Sequence, residues 1–187
     1  MSRLSKNEEM ALIDEARSKS ATDTMSTMAY LVFVPCAAVV SALPGFIFTT
    51  GMFGMEFEAN MILYIAVTSV TAFLLLSAYR DATRGRYFKL WSGDNGRKAR
   101  AKAAGIQDKS TKKSKSTDTR YQTILDATHL ESKAFALGKN NILFVLLSLT
   151  LAFVVCKPMM MDYPQVNYVI STIAPAVFLA WWSTYEQ

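Results

Sequence analysis

The stretch 59–79, ANMILYIAVTSVTAFLLLSAY, decides the fold: twenty-one residues without a single Lys, Arg, Asp or Glu. Within it, 64–76 is apolar or small on every face of a helix, so no side of that helix is suited to water. A soluble bundle needs a polar outer face on each helix, whereas lipid accepts an apolar one all round. Three further charge-free runs accompany it, 24–55, 140–156 and 163–185, containing 32, 17 and 23 residues. At the α-helical rise the four runs measure roughly 26 to 48 Å, against a hydrocarbon core of about 30 Å. Composition agrees: 51% of the 187 residues are hydrophobic and 19% charged, and the mean hydropathy is +0.18, too apolar for a disordered or collagen-like chain. The sequence therefore predicts an all-α membrane protein with transmembrane helices at 28–50, 59–80, 140–156 and 165–185, the third being the shortest.

Orientation follows from the bases. The segment 1–27 carries four Lys or Arg and 80–139 carries fifteen, while the short connections 51–58 and 157–164 have Lys157 alone. Loops rich in Lys and Arg stay cytosolic, so the 19-to-1 split places 1–27, the loop 81–139 and 186–187 in the cytosol. The two tips then face the opposite compartment. The N-terminal segment, with five acids before the first apolar run, lacks the basic opening of a cleavable signal, and the first span is expected to be retained. Tyr79, Tyr87, Phe88 and Trp91 at the second span, with Trp181, Trp182 and Tyr185 at the fourth, read as aromatic anchors at headgroup level.

Within the first span Ala37, Ser41 and Gly45 recur every fourth residue, a small-residue face on which another helix can pack closely. Pro35, Pro44 and Pro175 should kink or loosen their helices. Cys36 and Cys156 read as small buried residues, since neither a Cys-x-x-Cys spacing nor clustered histidines accompany them. No charged residue lies within a span to bind an ion or relay a proton. No nucleophile, acid–base pair, metal cluster or phosphate loop can be assembled from the pattern; the lone His129 reads as a surface or helix-start residue. Neither catalysis, a cofactor nor a small-molecule substrate is expected.

The loop 80–139 carries fifteen bases against six acids. The second helix should continue past the membrane until the turn signal Gly93, Asp94, Asn95, Gly96. A short helix is expected to follow, ending near Gly105, then a mobile Lys/Ser/Thr stretch over 108–118. Helix should resume by Thr128, where Thr128 and Glu131 match a capping box. The result is a largely helical loop, two extensions joined by a basic tip. Its outer bases, Arg97, Lys98, Arg100, Lys102, Lys109, Lys112, Lys113 and Lys115, lie beyond what orientation requires, and suit phosphates. Charge alone leaves both RNA and anionic lipid open as partners.

The residue pattern also resembles a known family. Pro164-x-Val166-Asn167-Tyr168-x-x-Ser171 opens the last span; Glu131, Phe135 and Asn140-Asn141-x-Leu143-Phe144 lead into the third. Ser41-Ala42-x-Pro44, Leu63-Tyr64 and Ala78-Tyr79-Arg80 occupy the first two. In this order they resemble the gamma subunit of the translocon-associated protein complex, or signal sequence receptor, of the endoplasmic reticulum membrane. The resemblance implies an accessory subunit beside the Sec channel, bound to the complex's other subunits and to membrane lipids. Its cytosolic part would touch the large ribosomal subunit, principally rRNA with ribosomal protein as a further contact. No family motif falls on the basic tip, whose candidate residues rest on charge and position. The competing readings are a small tetraspan transporter and a lipid-binding membrane scaffold.

Overall fold

The computed structural model describes residues 27–92, 115–157 and 162–185. Among them everything outside the two tips, 53–56 and 162–163, is helical, and there is no strand. Helix α1 spans Thr27–Ile47 and runs on as a π-helix over Phe48–Met52. Helix α2 is Phe57–Ser92. Helix α3 spans Lys115–Thr150 and also ends in a π-helix, Leu151–Cys156; α4 is Pro164–Tyr185. All four are long and apolar enough to cross a membrane. The chain is thus an all-α protein with four such helices. The short third run, 140–156, is the end of a longer helix that begins at Lys115 and closes in the π-helix.

Helix α2 is the hub, packing most extensively on α4, then α3, then α1. Two buried clusters are stacked along the bundle. One gathers Phe33, Ala37, Leu75, Tyr79, Phe144 and Leu179; the other gathers Phe48, Met55, Tyr64, Val67, Ala152 and Tyr168 near the tips. Some hydroxyls within the apolar helices find partners one turn back: Ser41 donates to the Ala38 carbonyl at 3.0 Å and Ser69 to that of Ile65 at 2.7 Å. Such back-bonding lets a hydroxyl sit where water is absent. Pro164 opens α4 at the first helical position, where a missing N–H costs nothing, and the Asn167 amide closes that turn on the Tyr163 carbonyl at 3.1 Å. Gly54, at φ 67°, supplies the left-handed backbone of the first tip.

Of the three prolines, Pro35 and Pro175 lie inside unbroken α-helix. Pro44 alone is followed within a turn by π geometry. Lacking an N–H, it cannot serve the carbonyl four residues back, and the chain beyond it widens. Thr49 and Thr50 then donate to the carbonyls of Phe46 and Ile47, each at 2.8 Å.

Tyr79 and Tyr87 are not headgroup anchors: they are 0% and 1% exposed, wedged between helices, while Trp181, Trp182 and Tyr185 are exposed. Helix α3 is already under way at Lys115, so Thr128 is not its N-cap. The stretch 119–127, TRYQTILDA, contains no Gly or Pro and carries helix straight through the capping-box match. There Ser132 donates to the Thr128 carbonyl at 2.8 Å, an intrahelical contact. Finally, 115–118 is helical rather than mobile. The turn at 93–96, the helix at 97–105, the stretch 108–114 and the segment 1–26 lie outside the described residues. Both cysteines are free, Cys156 buried and Cys36 half-buried.

Candidate functional site

Past Arg80 in α2, and before Lys139 in α3, the helices leave the charge-free runs and remain side by side. At the base of this extension the Tyr79 hydroxyl donates to Asn141 Oδ1. One turn on, Thr83, fully buried, donates to the Tyr79 carbonyl at 2.6 Å. Arg86 reaches across to Glu131 at 3.3 Å and lies over the Phe135 ring, 4.6 Å from its centroid. Tyr87 stacks on His129 with centroids 4.1 Å apart and planes 15° from parallel. Ala82, Ser132 and Ala136 are small and buried, which lets the backbones approach. Asp81, 8% exposed, pairs with Arg80 Nε at 3.5 Å.

The Arg86–Glu131 side chains are 35% and 58% exposed, so solvent screening leaves the pair only about 0.2–1 kcal/mol. The buried Tyr87–His129 stack contributes roughly 0.5–1.5 kcal/mol beyond its area. His129, 4% exposed, is therefore a packing residue of the extension and not the surface residue its neighbours in sequence suggest. The contacts 79/141, 86/135, 86/131 and 87/129 share one antiparallel register. Carried forward, Ser92 falls opposite the region near 124. Lys115 is the first described residue of α3. Arg97, Lys98, Arg100, Lys102, Lys109, Lys112 and Lys113 lie outside the described residues, in the connection between the two helix ends.

The second notable region lies at the other end of the bundle. Ala37 and Ser41 are 0% exposed and Gly45 is buried. A Cβ on Gly45 would stand 3.3 Å from both Tyr168 Oη and Tyr64 Cδ1, so the glycine lets α1 close on the two tyrosines. Tyr168, 0% exposed, has its ring 4.9 Å from Tyr64 and 5.3 Å from Phe48. Beside it Asn167 donates from Nδ2 to the Ala152 carbonyl at 3.5 Å. That carbonyl also accepts the Lys157 N–H of the π-helix. Lys157 Nζ in turn lies over Phe53 and Phe153, at 5.6 and 5.8 Å, joining the two tips by a cation–π contact. The most distinctive sequence signature, around Pro164 to Ser171, is thus where α4 locks onto the other three helices.

The contacts between helices, such as Tyr79–Asn141, Arg86–Glu131, Tyr87–His129 and Tyr64–Tyr168, were not readable as pairs, since each joins residues far apart in the chain. A partial signal existed: His129, Ser132, Ala136 and Asn140 follow helical spacing, and all four are buried. Among the described residues, no group of three or more His, Cys, Asp or Glu side chains could hold a metal ion. No individual curated protein matches the chain. The family model for the translocon-associated protein, gamma subunit (TRAP-gamma), matches residues 7–185, and with nearly the whole length covered, the chain belongs to the TRAP-gamma family.

Proposed function

We propose that this subunit is a non-catalytic membrane anchor of the translocon-associated complex, seated beside the Sec channel in the endoplasmic reticulum membrane, and that its basic connection contacts the ribosome during co-translational translocation. Both termini and the helical extensions lie in the cytosol in this reading, with the Gly54 and Lys157 tips in the lumen. The observation that carries it is the zipped extension. The paired helices run on past the charge-free runs and are joined in sequence by 93–114, 22 residues with seven bases and two acids. A segment meant only to satisfy the orientation rule would not need so long a helical support. Its bases neutralise rRNA phosphates without reading sequence, and binding is driven by counterion release.

The test is salt-dependent co-sedimentation of the full chain, in nanodiscs, with ribosomes. If about half of the eight bases over 97–115 engage phosphates, the logarithmic salt slope is roughly −3 to −4. Replacing Lys109, Lys112, Lys113 and Lys115 by Gln should flatten that slope and weaken binding while leaving insertion intact. An unchanged slope and affinity would remove the connection from the contact. Equal binding of the wild-type extension to anionic vesicles lacking ribosomes would favour the lipid-scaffold reading instead.

A further inference from the structure

Where α2 runs past its charge-free stretch, it is covered on more sides than one neighbouring helix can cover. Tyr79, Arg86 and Tyr87 meet α3. Asp81, Gly85 and Phe88 lie about 140–180° round the helix from that contact. Yet Asp81 is 8% exposed, Gly85 is buried and Phe88 is half-buried. A helix paired with one partner buries a single stripe and gives its opposite side to solvent. The other described helices stop short of this face. Helix α4 runs parallel to α2 with Tyr168 against Tyr64, so its end at Tyr185 is level with Asp81. Helix α1 runs antiparallel with Phe33 against Tyr79, so its first residue, Thr27, is level with Gly85. Phe88 lies beyond both.

The face has a definite chemistry. Gly85 and Phe88 form an apolar centre, and helical spacing sets Arg84 on one flank and Lys89 on the other. Two stretches of chain outside the described residues adjoin it, 1–26, which leads into Thr27, and 93–114, which follows Ser92. The second carries seven bases and two acids, and 80–92 itself has four bases and one acid, so like charges oppose that contact. The first contains the octet 8–15, EEMALIDE, with two acids at each end, four apolar residues between them and no base. It repeats the pattern of the face with the charge reversed. The eleven residues 16–26 span at least about 16 Å, against roughly 5 Å from the level of Thr27 to that of Phe88, so the octet reaches the face.

We propose that 8–15 docks on this side of α2. Met10, Leu12 and Ile13 cover Gly85 and Phe88, while the carboxylates of Glu8, Glu9, Asp14 and Glu15 engage Arg84 and Lys89. The N-terminal segment thereby becomes a third member of the extension, and its acids neutralise bases of α2 without reaching those of the connection. The contact depends neither on the compartment this end faces nor on ribosome binding, so it stands or falls separately from the function proposed above.

The experiment treats the full chain in nanodiscs with a water-soluble carbodiimide, which joins a carboxylate to a lysine amine it touches, and maps the linked peptides by mass spectrometry. Lys89 should link to acids of the octet, and amide exchange over 8–15 should be about tenfold or more slower than in an unstructured chain. The variant Glu8→Lys, Glu9→Lys, Asp14→Lys, Glu15→Lys leaves the bundle untouched and should lose both signals. Arg84→Glu with Lys89→Glu should free the same amides while the spans stay protected, and joining the two sets of reversals should restore slow exchange. Exchange over 8–15 at the unstructured rate in the wild-type chain overturns the proposal, as does failure of the combined reversal to restore protection. Links from the octet to Lys109, Lys112 or Lys113 in place of Lys89 assign the acids to the connection and overturn it as well.

Discussion

The two ends of the bundle solve the same packing problem with different chemistry. Where α2 and α3 continue past the charge-free runs, they are held by small buried residues, one ring stack and an exposed ion pair. At the tips, inside the apolar zone, a chain of aromatic contacts links Phe57, Tyr64, Tyr168, Phe48, Phe53 and Phe153. Lipid offers no hydrophobic drive between helices, because acyl chains are as apolar as leucine. Cohesion there rests on dispersion and shape, and large rigid rings provide much of both. In water, apolar burial returns as a driving force, and modest side chains suffice.

The comparison can be broken most forcefully at Tyr168. Tyr168→Ala removes a fully buried ring from between Phe48 and Tyr64, and should cost about 3–5 kcal/mol, read as loss of folded protein in steric-trapping or detergent unfolding. A cost below 1 kcal/mol would mean the aromatic chain is not what holds the tips. Gly45→Val should follow at roughly 1–3 kcal/mol, since even a Cβ there crowds both tyrosines. The extension is expected to answer more gently. His129→Ala should raise amide hydrogen exchange over 83–90 and 127–136 about five- to thirtyfold and leave the spans protected; His129→Phe should restore protection. Uniform exchange across all four helices would instead make the extension and spans one cooperative unit. Smallest is Glu131→Gln, expected to cost no more than about 1 kcal/mol and to lose even that in high salt.

How much of this was legible depends on the range over which each signal acts. The four spans could be read because a charge-free run is a local property and lipid leaves it no alternative. The continuation of α2 beyond its charge-free run, as far as Ser92, was legible because no Gly or Pro interrupts 80–92 except Gly85. The capping box at Thr128 and Glu131 was misread, because a helix already under way overrides the motif. His129 was misread for another reason: the ring that buries it, Tyr87, lies in a different helix, and nothing near position 129 announces a partner. Ala37, Ser41 and Gly45 had the spacing of a packing face. What they face, Tyr64 and Tyr168 at Gly45, is a matter of assembly across spans.

The position of Asn167 and Tyr168 has a consequence for the order of synthesis. Helix α4 is translated after the other three, yet it supplies the ring that fills the space beside Gly45 and the amide that engages the Ala152 carbonyl. Until it arrives, the most extensive partner of the central helix is missing, and Gly45, Tyr64 and Phe48 border an unfilled notch in the membrane. A nascent chain halted after its third span is therefore chemically distinguishable from a finished one. The difference is the aromatic-lined notch itself, on which machinery that surveys incomplete membrane proteins can act.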